Sequence, residues 1–276
     1  MTIRTLLASA SQDPGQEARL NLACDIARAF DAEIIGAGSA SVEPVIDDAF
    51  PVGGMTGEVA TLYQDIAENE ARENRASFER IAAARGVQAR WTGHIGYPAA
   101  IVNAAARAAD LVLVAARSPG VPFRAPDPVE VITGAGRPVL VVPAAPVRAP
   151  VGSTAVLAWK DNRECRLAAA AALPLLKAAS RTHVLTVCRE ENAEAASAGL
   201  VEVQTWLSRH GVKASSDVLV RNETTTARRL LDRAAALEAG LIVSGAYGHL
   251  RLMEWVLGGV TRSFLDDSPV CLLMAR

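Results

Sequence analysis

The chain has 276 residues, with 28 Lys and Arg against 30 Asp and Glu and a formal net charge of -2. That balance argues against a generic nucleic-acid binder, which needs a basic excess or a basic stripe. Half of the residues are hydrophobic and 21% are charged, so a real core is available; with aromatics at 4%, Ala, Val, Leu and Ile must build it. No apolar run approaches the roughly 18 residues of a membrane-spanning helix. The apolar part of the N-terminal stretch MTIRTLLASASQD is shorter than the about 7–15 residues of a secretory signal. These readings predict a cytoplasmic protein with no membrane partner. Cys24, Cys165, Cys188 and Cys271 lack CxxC spacing, and His94, His183, His210 and His249 form no HxxxH or HExxH group. Reduced thiols are therefore expected, mostly buried, with no metal site.

In chain order, short β-rich apolar runs alternate with Ala-rich helical stretches, the pattern of parallel α/β structure. The first half reads as strand 4–9, helix 16–30, strand 33–38, a long Pro-, Gly- and Asp-rich loop 39–57, and helix 58–85. Strand 88–94, helix 99–108, strand 111–115, a Pro-rich stretch and strand 138–142 follow. Gly86 is expected to stop a helix and Gly93 to end a strand. The second half repeats the order: strand 155–159, helix 163–179, strand 183–187, helix 193–209, strand 213–220, helix 225–237, strand 241–244, a further helix and strand 270–274. LVLVAARS from Leu111 resembles LIVSGAYG from Leu241, and RPVLVVPA from Arg137 resembles SPVCLLMA from Ser268. Both pairs stand about 130 positions apart, which marks a duplicated domain. A stiff Pro-rich linker, PAAPVRAP at 143–150, separates the copies. The expected fold is α/β: two tandem doubly wound open parallel-sheet domains, Rossmann-like, at 1–146 and 151–276, with five strands and four helices each. The short linker predicts that the two copies pack on each other like a fused dimer, and it leaves a homodimer of fused chains open.

Ligands of such sheets sit beyond the carboxyl ends of the strands. In the second half the fourth strand runs on into GAYGHLRLMEWVLGGVTRSFL, with Gly245-x2-Gly248-x9-Gly258-Gly259-Val260-Thr261 leading into a helix. Gly245 and Gly248 allow a tight turn and a close backbone approach. Gly258 and Gly259 place unpaired amides at the positive end of the helix dipole, and Thr261 adds a hydroxyl in the first turn. Together they form a phosphate cradle; the alternative is that the glycines serve only turns and close packing. No GK[ST] follows, so this is not a Walker A loop, and no GxGxxG follows either first strand, which disfavours a dinucleotide-dependent oxidoreductase.

These features resemble the universal stress protein family in a tandem form. The resemblance spans nearly the whole chain and rests on the duplicated five-strand repeat, the G-x2-G-x9-G-[ST]-like loop from Gly245 to Gly259, and the closing SPVCLLMA strand. It implies that Gly245, Gly248, Gly258, Gly259 and Val260 hold the phosphates and ribose of an ATP-like nucleotide, accompanied by magnesium. It also implies a regulatory or stress-endurance role, with at most slow ATP hydrolysis. Gly259 stands where the family often has Ser or Thr, and Thr261 is the nearest substitute. The family's acidic residue after strand one falls at Lys160, in Ala158-Trp159-Lys160, and a lysine cannot accept from ribose hydroxyls. Trp159 and Val187 are candidates for an adenine slot or, equally, for core. The family also contains members that bind no ATP, so an interaction or small-ligand module is the alternative function.

The first half fails the same test. The repeat alignment sets Ala115 and Ser118 against Gly245 and Gly248, and Asp127 and Pro128 against Gly258 and Gly259. A carboxylate there would repel phosphate, and Pro128 removes an amide. Elsewhere, Glu223, Arg228, Arg229 and Asp232 read as surface ion pairs on one helix. The run from Glu68 to Arg75 reads as a solvated helix face. His94 and Tyr97 mark a strand end without a partner motif.

Overall fold

The computed structural model describes residues 2–40, 57–117, 124–144, 147–247 and 259–276. The first half contains β1 (Thr5–Ala10), α1 (Gln16–Phe30), β2 (Glu33–Ala40), α2 (Gly57–Arg85), β3 (Ala89–Ile95), α3 (Pro98–Ala105), β4 (Leu111–Ala115), α4 (Pro128–Gly134) and β5 (Val139–Val142). The second contains β6 (Thr154–Ala158), α5 (Arg163–Ala178), β7 (Arg181–Cys188), α6 (Ala193–Arg209), β8 (Ala214–Val220), α7 (Thr226–Ala236), β9 (Ala239–Gly245), α8 (Gly259–Asp267) and β10 (Cys271–Ala275). Among the described residues each half thus carries five strands and four helices.

All ten strands form one sheet, ordered β3-β2-β1-β4-β5-β10-β9-β6-β7-β8. Every neighbouring pair is parallel except β5 and β10, where Leu140 faces Leu273 and Val139 faces Met274 in an antiparallel ladder. Both of these strands are wholly buried. Each half would otherwise expose a flat apolar edge, and pairing the two edges removes that liability. The antiparallel seam also has a consequence for the site. The carboxyl ends of the first-half strands and those of the second-half strands lie on opposite rims of the sheet.

Alternate residues of each strand enter two cores, one per face. Leu6, Ala8, Leu157, Val243 and Leu273 pack under α1, α2, α5 and α6. Leu7, Val112, Val156, Ile242 and Met274 pack under α3, α4, α7 and α8. With both faces covered, the central strands carry near-continuous Val, Leu, Ile and Ala, as parallel strands must.

Several local expectations change. The Pro-rich stretch after β4 contains α4: Asp127 accepts a hydrogen bond from the Val129 amide (2.8 Å) as N-cap, and Pro128 occupies the first turn, where a missing N–H costs nothing. The helix read over 99–108 divides into α3 and a 3-10 turn at Ala106–Ala108. Gly86 ends α2 with φ +63, but Gly93 lies inside β3 rather than at its end. The 39–57 loop is shorter at both ends, because β2 runs to Ala40 and α2 starts at Gly57; 41–56 lie outside the described residues.

Candidate functional site

The second-half rim is built from the ends of β6, β7 and β9 and the starts of α5 and α8. β6 ends at Ala158, and the Trp159 amide donates to the Leu185 carbonyl (2.7 Å), carrying the ladder one residue further. The chain then turns: the Lys160 carbonyl accepts from the Asn162 amide (2.8 Å), and Asn162 caps α5 by accepting from the Cys165 amide through Oδ1 (2.9 Å). Lys160 is exposed on this turn.

Gly245 is the last residue of β9 and sits beside Ala275 of β10. A Cβ there would lie 2.5 Å from the Cys165 amide nitrogen and 2.6 Å from the Glu164 carbonyl carbon. The missing side chain therefore lets the first turn of α5 rest directly on the strand end, a packing role that the sequence reading assigned to ligand approach as well. Cys165 fills the same junction and is 4% exposed; burial raises its thiol above the ordinary range, partly offset by hydrogen bonding to the backbone at Gly245 and Lys160. Nothing in its spacing marked it, since a lone Cys at the third helical position gives no signal.

Beyond Gly245 the Ala246 amide donates to the Ala275 carbonyl (2.9 Å), and Tyr247 adopts φ +60. A left-handed conformation at a non-glycine residue costs about 1–3 kcal/mol and persists where surrounding packing imposes it. The Tyr247 ring packs onto the core beneath α7 and α8, its hydroxyl is buried without a partner among the described residues, and burial pushes the phenol up to about 12. Tyr247 was not a sequence candidate, although an aromatic inside a glycine-rich loop is itself a signal. Gly248 and Gly258 lie outside the described residues.

α8 opens at Gly259, which is exposed and, among the described residues, has no atom within 4 Å of the place its Cβ would occupy. Val260 is half-buried against the core, while Thr261 is 7% exposed and Phe264 fully buried. Phe264 and Leu265 anchor the helix, so its first turn is held at a fixed place on the rim. Trp159 and Val187 are not brought together: Trp159 packs with the α5–α6 core and Val187 with the α7–α8 core, on opposite faces of the sheet.

The first-half counterpart differs in one decisive group. α4 starts at Pro128, in register with Gly259 in the repeat, but the Asp127 carboxylate already occupies its start. That carboxylate accepts from the Val129 amide and from Arg117 (2.8 Å), and the bond holds the Arg117 guanidinium above its usual range. Ser118 lies outside the described residues. Tyr97 donates to Glu130 (2.8 Å) at the surface, His94 is exposed on β3, and no metal-holding group of three His, Cys, Asp or Glu occurs among the described residues. No described helix is long and apolar enough to cross a membrane.

No family model matches the chain, and no curated protein matches its sequence. Solved structures do. A universal stress protein from Archaeoglobus fulgidus DSM 4304 superposes with a TM-score of 0.76 at 15% identity, covering 99% of this chain and 98% of that one. The chain has the universal stress protein fold, in a two-copy form. A functionally unknown protein from Pseudomonas aeruginosa PAO1 gives a TM-score of 0.62 at 17% identity, covering 99% of this chain and 92% of its own. At these identities the likeness is one of backbone architecture. In this universal stress fold the first described residue of α8 is the exposed Gly259, whereas the start of α4 in the first half is capped by Asp127.

Proposed function

We propose that the chain is a tandem universal stress protein, with domains at 1–146 and 151–276, that holds one ATP-like nucleotide at the β9–α8 loop. Its role is regulatory or stress-enduring rather than catalytic, in the cytoplasm, without nucleic acid as a partner. The observation that carries this reading is Gly259: an exposed helix start, on the carboxyl rim of a parallel sheet, with no atom of the described residues where a side chain would be. Such a position favours a phosphate through unpaired amides and the helix dipole. These residues fit an anionic group. When bound, the nucleotide supplies the phosphates and brings magnesium with it; Val260 and Thr261 follow Gly259 in the first turn, and Lys160 stands on the same rim.

Titration calorimetry of nucleotide-stripped protein with ATP and magnesium tests the proposal, with one site per chain expected. Gly259→Asp sets a carboxylate at the first residue of α8, one position beyond the place that Asp127 holds in the first half, and weakens binding at least about tenfold, the equivalent of 1.4 kcal/mol. Ala115→Gly leaves it unchanged. Absence of both heat and thermal shift at millimolar ATP sinks the nucleotide reading, because a ligand of the native state must stabilise it. That outcome favours the second reading, an interaction or small-ligand module, for which the tight seat of α5 on Gly245 is the supporting observation.

A further inference from the structure

Helix α7 runs back from the carboxyl rim of the second half, packed against α8, β7 and β9. Its buried side is Ala227, Leu230, Leu231 and Ala234, and two arginines one turn apart, Arg229 and Arg233, flank that side half-buried. Arg233 donates to Asp217 of β8 (2.7 Å). Arg228, on the outer face, pairs with Asp232 (2.9 Å) in the ordinary i,i+4 manner. Arg229 has no carboxylate partner among the described residues, and no side-chain hydrogen bond.

The Nε of Arg229 and the Nε of Arg233 are both buried without an acceptor. A buried donor left unmade costs about 1–3 kcal/mol, more for a charged group, so two on one helix flank ask for an explanation. The neighbours do not provide one. Beside Arg233, His183 Nδ1 is engaged by the Ser215 hydroxyl (2.7 Å), and burial lowers the readiness of this imidazole to take a proton. Asp217 is the one acid the described residues give this pair of guanidinium groups, and it is on Arg233. Four residues of helix rise about 6 Å, close to two strand residues at about 3.3 Å each. Arg229 therefore lies one helical turn nearer the carboxyl rim than the Asp217 contact, with no carboxylate on it among the described residues.

We propose that Arg229, with Arg233 behind it, forms an oxyanion-binding site on the α7–β8 edge, separate from the glycine loop, that takes a phosphate or carboxylate group. Guanidinium forks match both groups, and a ligand oxygen on the outward terminal nitrogens of Arg229 supplies a partner that the described residues do not. Phosphate and carboxylate share this chemistry; the experiment separates them.

The test is the melting temperature of the full chain in inorganic phosphate, in acetate and in chloride, all at equal ionic strength. Wild type melts higher in phosphate, in acetate or in both than in chloride, by about 5 °C at a hundredfold excess over Kd. Arg229→Met loses that rise, while Gly259→Asp, altered at the glycine loop, keeps it. In chloride alone Arg229→Met melts no lower than wild type, since it removes an unpaired buried donor and keeps the aliphatic stem. No rise in wild type, an equal rise in Arg229→Met, loss of the rise in Gly259→Asp, or a lower melting point of Arg229→Met in chloride each overturns the proposal. Retention of this rise in a protein that does not bind ATP leaves the site standing, so the two readings fail separately.

Discussion

Asp13→Ala lowers the unfolding free energy by about 3–5 kcal/mol, the cost of leaving a buried charge without its partner. Asp13 and Arg19 form a bidentate pair at the end of β1, with Nη1 to Oδ1 at 2.9 Å and Nη2 to Oδ2 at 2.6 Å. Their side chains are 4% and 1% exposed, so solvent screening does not apply. Arg19 Nε also donates to the Ser9 carbonyl (3.1 Å), and Asp13 Oδ1 accepts from the Gly15 amide (2.9 Å). The pair thus ties the β1–α1 turn to the strand and to the helix at once. Alanine at 13 removes the acid and strands the guanidinium in the core. Urea denaturation measures the loss. The double change Asp13→Ala with Arg19→Met recovers most of it, because an apolar replacement of a buried pair is often neutral. A loss under 1 kcal/mol for the single change contradicts the burial of the pair.

The contrast between this pair and the strands shows what the sequence made legible. β-rich runs such as Leu111–Ala115 announce their state because a parallel strand covered on both faces must be apolar at every position. The duplication at about 130 residues placed the second copy with almost no error, and Gly86 marked a helix end because only glycine tolerates its φ of +63 cheaply. α4 was counted among four helices but given no position, because its four-proline neighbourhood outweighed a short capped segment, although Asp127 followed by Pro128 is itself a helix-start signature. The Asp13–Arg19 pair was invisible: nothing in a spacing of six residues, from a turn into the first helix, marks two charges as a buried pair, and only tertiary packing buries them. The seam of β5 on β10 was anticipated as packing of two copies, but no residue pattern distinguishes face packing from edge pairing. At the candidate site the sequence located the rim and the helix start. It could not assign each glycine, because the same residue serves a ligand's approach and a helix's approach.

Gly245→Ala and Gly259→Ala separate those two uses. At Gly245 the added methyl meets the Cys165 nitrogen at 2.5 Å, the Glu164 carbonyl carbon at 2.6 Å and the Glu164 Cβ at 2.8 Å. Two of these atoms are backbone of the first turn of α5, so the helix itself must shift and its Asn162 cap with it. Overpacking of this kind costs about 1–3 kcal/mol, against a gain of about 0.4–1 kcal/mol from a stiffer unfolded chain. The expected result is a net loss of stability in urea, with the fold retained. At Gly259 no atom of the described residues lies within 4 Å of the new methyl, and the expected change stays within about 0.5 kcal/mol. Equal stability of the two variants would show that α5 does not rest on Gly245. If the difference is found, reduced ATP affinity in Gly245→Ala reports a displaced α5, and only at Gly259 does lost affinity report on the phosphate cradle directly.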